Sequence, residues 1–182
     1  MNSLRCYFGK AVLAAILCSF SLFFFSCSKE EKEIGTDPDL TITQTDIMLL
    51  IEHKKTIDGI TSQYDKKIAE VSPSEGHKLI EEGKNEINQY LESKGLKPEV
   101  FMKKSKKILR AYLGFAEISD ETMQKRIEIL KQNDASEYDI KTKTAAYKKA
   151  GEAFFKEMTS GLTKKEIDLV KSNLKNIAAV TE

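Results

Sequence analysis

From Thr43 onward the chain carries repeated helix-start punctuation, and this limits the fold more than any other feature. Thr43 with Asp46, Ser72 with Glu75, Ser136 with Asp139 and Thr163 with Glu166 each set a hydroxyl three residues ahead of an acid. At that spacing the two side chains satisfy one another's backbone N–H groups at a helix start. Ser119 offers a further cap. Apolar pairs that can staple the incoming chain to the helix flank four of these caps: Ile42 with Ile47, Ile118 with Met123, Ala135 with Ile140 and Leu162 with Ile167. Pro73 and Pro98 stand where a first helical residue is expected, a position at which the missing N–H costs nothing. Lys94-Gly95-Leu96 and Ser160-Gly161-Leu162 read as left-handed helix ends, with Gly supplying the positive φ and Leu the apolar contact.

Between these signals the apolar residues keep the helical period, as in Leu50, Ile57, Ile60, Tyr64 and Ile68, or Phe101, Ile108, Tyr112 and Phe115. No stretch sustains the two-residue alternation of a half-buried strand. The pattern predicts an all-α fold of about six amphipathic helices near 43–71, 73–94, 98–118, 120–133, 137–159 and 164–179, packed as one bundle-like domain over residues 42–182. Gly76, Gly83, Gly114 and Gly151 fall inside these helices, where close helix packing is the ordinary reason to tolerate them.

The first residues follow a different rule. Arg5 and Lys10 precede a run of 15 mostly apolar residues, Ala11 to Phe25, and Ser26-Cys27 is followed at once by the charged Ser28-Lys29-Glu30-Glu31. A spanning helix needs about 20 apolar residues, whereas a cleaved secretory signal has an apolar region of about 7 to 15. Phe24-Phe25-Ser26-Cys27 resembles the lipobox of bacterial lipoproteins, in the loose form found in spirochaetes. The resemblance implies cleavage before Cys27 by signal peptidase II and attachment of diacylglycerol to its thiol, for which the small Ser26 leaves the scissile bond accessible. Phe24 and Phe25 are bulkier than the usual residues of that pattern. Residues 1–26 would then be a signal peptide and 27–41 a lipidated cysteine with a polar, flexible tether containing Gly35 and Pro38. Several acyl chains such as palmitate would hold the protein stably to a membrane of the cell envelope. Ser28, in place of the Asp that retains some lipoproteins in the inner membrane, points to the outer membrane.

Composition narrows the remaining choices. The chain of 182 residues has 29 basic and 28 acidic side chains, and loss of the signal leaves 27 against 28, which gives no general attraction to nucleic acid. Cys6 and Cys18 lie in the signal, so Cys27 is the single thiol of the mature chain and the core must hold without a disulfide. With His53 and His77 as the only histidines, a site of several His ligands is excluded. His53 falls on the apolar face of the first helix, and His77 stands one turn from Glu81 near a helix start. There is no Gly-x-Ser-x-Gly, no Gly-rich phosphate loop and no Cys/His pair outside the signal. Carboxylate pairs such as Glu81/Glu82 and Glu152/Glu157 are what any charged helical surface offers.

One charge feature stands out. Lys103-Lys104-Ser105-Lys106-Lys107 with Arg110 concentrates cations on one helix, within a C-terminal part, Lys97 to Glu182, that holds 18 basic against 13 acidic residues. Two meanings are open: a solvated or internally complemented face, or a patch for an anionic or protein partner. The expectation is a non-enzymatic envelope lipoprotein with a helical binding or structural module, needing no cofactor or metal. The alternatives are a carrier with an apolar ligand in a space beside Gly83 and Gly151, and an enzyme with an unrecognised carboxylate site.

Overall fold

The computed structural model describes residues 40–181, among which there is no strand. Seven helices follow one another: α1 (Gln44–Ile68), α2 (Pro73–Ser93), α3 (Pro98–Glu117), α4 (Asp120–Gln132), α5 (Glu137–Met158), α6 (Lys164–Ser172) and α7 (Leu174–Thr181). The all-helical architecture expected from the caps holds throughout. The signal segment, Cys27 and the tether up to residue 39 lie outside the described residues.

Local chemistry sets the helix boundaries. At α1 the Thr43 N–H donates to Asp46 Oδ2 at 2.7 Å and the Asp46 N–H returns to Thr43 Oγ1 at 3.3 Å. Ser136 and Thr163 accept from the backbone of Asp139 and Glu166 at 3.1 and 3.3 Å, and Ser119 accepts from Thr122 at 3.2 Å. Each bond satisfies a donor that the first helical turn would otherwise leave bare. α2 ends in a Schellman turn, with Leu96 N–H bonded to Leu91 O at 3.1 Å and Gly95 N–H to Glu92 O at 2.9 Å around Gly95 at φ 74°. α4 ends in the same turn with Asp134 at the left-handed position, φ 54°.

The last predicted helix, near 164–179, is in fact two. Asn173 interrupts it at φ −110°, where its N–H bonds Val170 O at 3.0 Å and its carbonyl accepts from Asn176 and Ile177. Its side-chain amide donates back to Leu169 O at 2.9 Å and exchanges bonds with the Gln44 amide at 3.0 and 3.1 Å. An Asn side chain that bonds the preceding turn competes with the helical ladder at that point.

The described residues group into two compact units, 55–96 and 40–54 with 97–181. The smaller holds the second half of α1 and all of α2, with Ile57, Tyr64, Ile87 and Leu91 buried. In it the Tyr64 hydroxyl donates to Glu86 Oε2 at 3.0 Å and Lys67 Nζ lies 4.4 Å from the Tyr64 ring centre. In the larger unit α3 is the central element, with Phe101, Ile108, Leu109 and Ala111 buried and α4, α5 and α6 packed against it. Gly114 brings α5 close: a Cβ there would stand 3.1 Å from Met158 Cβ and 3.4 Å from Phe155 Cα. Phe115 and Phe155 meet edge to face at 4.9 Å beside it.

Candidate functional site

The basic run lies along α3, and the fold divides its charges among different tasks. Lys103, one turn from Glu99, bonds Glu99 Oε1 at 2.6 Å in solvent. Lys104 turns toward the start of α1 and reaches both oxygens of Asp46 at 3.1 and 3.2 Å; the two side chains are only 15% and 16% exposed. Lys107 donates to the carbonyl of Leu40 at 3.1 Å. Arg110 donates to the carbonyl of Glu157 at 3.2 Å, near the C-terminal end of α5, where the helix carries partial negative charge. Lys106 is exposed. Three of the five patch cations, Lys104, Lys107 and Arg110, therefore hold other segments of the larger unit. The patch keeps its exposed character at Lys103 and Lys106.

Lys104 and Lys107 belong to a wider polar arrangement around residues 40–46. Glu166, 4% exposed, is the buried carboxylate of the described residues. Its Oε1 accepts the N–H of Ile42 at 2.8 Å, and its Oε2 accepts the N–H and hydroxyl of Thr163 at 2.8 and 2.7 Å. Burial by itself would push this carboxyl up, but the backbone N–H groups of Ile42 and Thr163, the Thr163 hydroxyl and the Lys107 ammonium together hold it below its ordinary value. The Gln44–Asn173 amide pair closes the same region. Glu166 is legible in the sequence as half of a capping box. Its second role, accepting from Ile42 across 124 residues, has no local signal.

The sequence-derived candidates for chemistry fall apart by geometry. His77 is exposed, and the Glu81 carboxylate beside it is taken by Lys84 at 2.8 Å. His53 is buried, with its ring 6.2 Å from that of Phe101, edge to face. Glu81, Glu82, Glu152 and Glu157 are all exposed, and the buried Glu166 has both oxygens occupied by structural donors. No group of three or more His, Cys, Asp or Glu side chains that could hold a metal occurs among the described residues. A Cβ at Gly151 would stand 3.4 Å from Ile118 Cγ2 and 3.7 Å from Glu117 O, so this glycine serves helix contact, not a space for a ligand. Next to it, Arg126 bonds Glu117 at 2.6 Å and stacks over Tyr147 at 5.3 Å, a polar joint between α3, α4 and α5.

No described helix is long and apolar enough to cross a membrane. Compared with known proteins, the chain matches no family model, no curated protein and no solved structure.

Proposed function

We propose that the chain is an exported bacterial lipoprotein, cut before Cys27 and held to the cell envelope by acyl chains on that thiol, with its helices serving as a non-enzymatic binding or structural module. The observation that carries this reading is the position of a lone cysteine directly behind an apolar run of signal length and directly ahead of charge. The apolar run is short for a span, and a thiol is the nucleophile that the lipidation chemistry requires. The described helices leave membrane attachment, in this reading, to the N-terminal segment. Ser28 behind the cysteine favours the outer membrane. The module role draws its support from the way the carboxylates and histidines are dispersed or committed to structure. The exposed cations of α3, Lys103 and Lys106, with Lys104, Lys107 and Arg110 beneath them, are the surface such a module would turn to an anionic or protein partner.

The test is intact-mass analysis and detergent-phase partition of natively expressed protein beside Cys27→Ala. The expected result is a mature chain starting at Cys27 with added acyl mass in the detergent phase, and an unprocessed, unacylated Cys27→Ala. Wild-type chains without acyl mass in the aqueous phase, or retaining residues 1–26, overturn the reading.

A further inference from the structure

Residues 40–46 are held to the larger unit by one buried side chain, Ile42, and by a set of polar bonds that come from parts of the chain far apart in sequence. Lys107 on α3 takes the Leu40 carbonyl, Glu166 at the start of α6 takes the Ile42 N–H, Lys104 takes Asp46, and Asn173 between α6 and α7 takes the Gln44 amide. Only Ile42 adds a fully buried apolar side chain before Ile47, where the continuous core face of α1 begins. The anchoring groups are themselves set by other contacts: Glu166 by the Thr163 N–H and hydroxyl, Asn173 by Leu169 O. Glu166 and Asn173 thus each keep a partner outside residues 40–46. A segment with one buried apolar side chain, held otherwise by side-chain hydrogen bonds, can open while its neighbours stay folded.

We infer that residues 40–46 form a charge-locked strap, closed by Glu166, Lys107, Lys104 and Asn173, that releases from the larger unit as a piece while α3 to α7 stay folded. Around the Glu166 carboxylate the charged partner is Lys107 from α3; around Asp46 it is Lys104 from the same helix. The strap is the point at which the chain arrives from its N-terminal segment. Its use, paying out chain between a membrane anchor and the helices, rests on the lipoprotein reading; the strap itself does not.

Hydrogen exchange of the full chain, read by mass spectrometry on peptides covering 40–47, α3 and α5, tests the inference whether or not Cys27 is acylated. In the wild type the strap amides are expected to exchange through an opening at least tenfold more populated than that exposing α3. Glu166→Gln and Lys107→Met are each expected to speed strap exchange about tenfold further, with α3 and α5 unchanged. Glu99→Gln, which breaks an exposed pair on the same helix, is expected to leave the strap unaltered. Strap amides that open only together with α3 in the wild type, or that ignore Lys107→Met, overturn the inference. If Glu166→Gln fails to fold, the wild-type comparison and Lys107→Met still decide it.

Discussion

Among the described residues the Thr144 hydroxyl is buried without a hydrogen-bond partner. The residue itself is half-buried, on the face of α5 that also carries the half-buried Tyr147 and the buried Gly151. A bare hydroxyl in such a place costs about 1–3 kcal/mol. Thr144→Val keeps the branched shape and removes the orphan group, and is expected to stabilise the protein by about 1 kcal/mol, seen as a rise of roughly 2–4 °C in Tm. An unchanged or lower Tm would mean that the hydroxyl finds a partner in solution. Glu166 is the opposite case, a buried polar group with every donor it needs. Its carboxyl is held below the ordinary value of 4.5 in the fold, so the folded chain binds its proton more weakly than the unfolded chain does. The stabilisation is complete above the ordinary value and is lost as pH falls below it, through the folded value. Urea midpoints between pH 7 and pH 3 should fall less steeply in Glu166→Gln than in the wild type. The same loss in both would show that other carboxylates carry the acid sensitivity.

Helix ends were legible wherever their chemistry is local. Thr43, Ser136 and Thr163 stand three residues from their acids, and the structure uses all three caps as the spacing demands. Asp134 was not legible: it takes the left-handed position of a Schellman turn, whereas the glycine signal marks such ends only at Gly95 and Gly161. A non-Gly residue there is strained, although Asp tolerates it better than most. Asp134→Gly is expected to stabilise the α4–α5 turn by about 0.5–1 kcal/mol after allowing for the freer unfolded chain, measurable as a higher urea midpoint. The break at Asn173 was hidden for another reason. The apolar period runs straight through it, from Val170 to Leu174 and Ile177, while its partner Gln44 is 129 residues away. Helical glycines separate by surroundings in the same manner. Gly114 touches Met158 and the Phe155 backbone, so Gly114→Ala should cost about 1–3 kcal/mol; Gly59 has nothing within 4 Å of an added Cβ, so Gly59→Ala should gain up to about 1 kcal/mol. Equal shifts of the two midpoints would remove the packing argument for Gly114.

At the scale of the whole chain, the larger unit is discontinuous: residues 40–54 complete a fold whose remainder begins at residue 97. This also explains why the lysine run of α3 could not be assigned from its own neighbourhood, since Lys104 and Lys107 find their partners 58 and 67 residues upstream. Ile42, Ile47 and Leu50 are buried to 4%, 0% and 1% exposure, and burying three such side chains contributes about 5–9 kcal/mol, comparable with the 5–15 kcal/mol that separates most folded domains from their unfolded chains. The contribution of residues 40–54 is therefore divided unevenly. Ile42 and the polar bonds lie in the strap, and Ile47 and Leu50 lie in the helix behind it. Deleting residues 40–46 should leave a cooperative fold with a lower urea midpoint. A chain of residues 97–182 alone should lose cooperative unfolding and bind a hydrophobic dye, because the faces that meet Ile47 and Leu50 are open, and adding a peptide of residues 40–54 should restore a sharp transition. A fragment 97–182 that unfolds as sharply as the full chain would show that α3 to α7 are complete without the first half of α1.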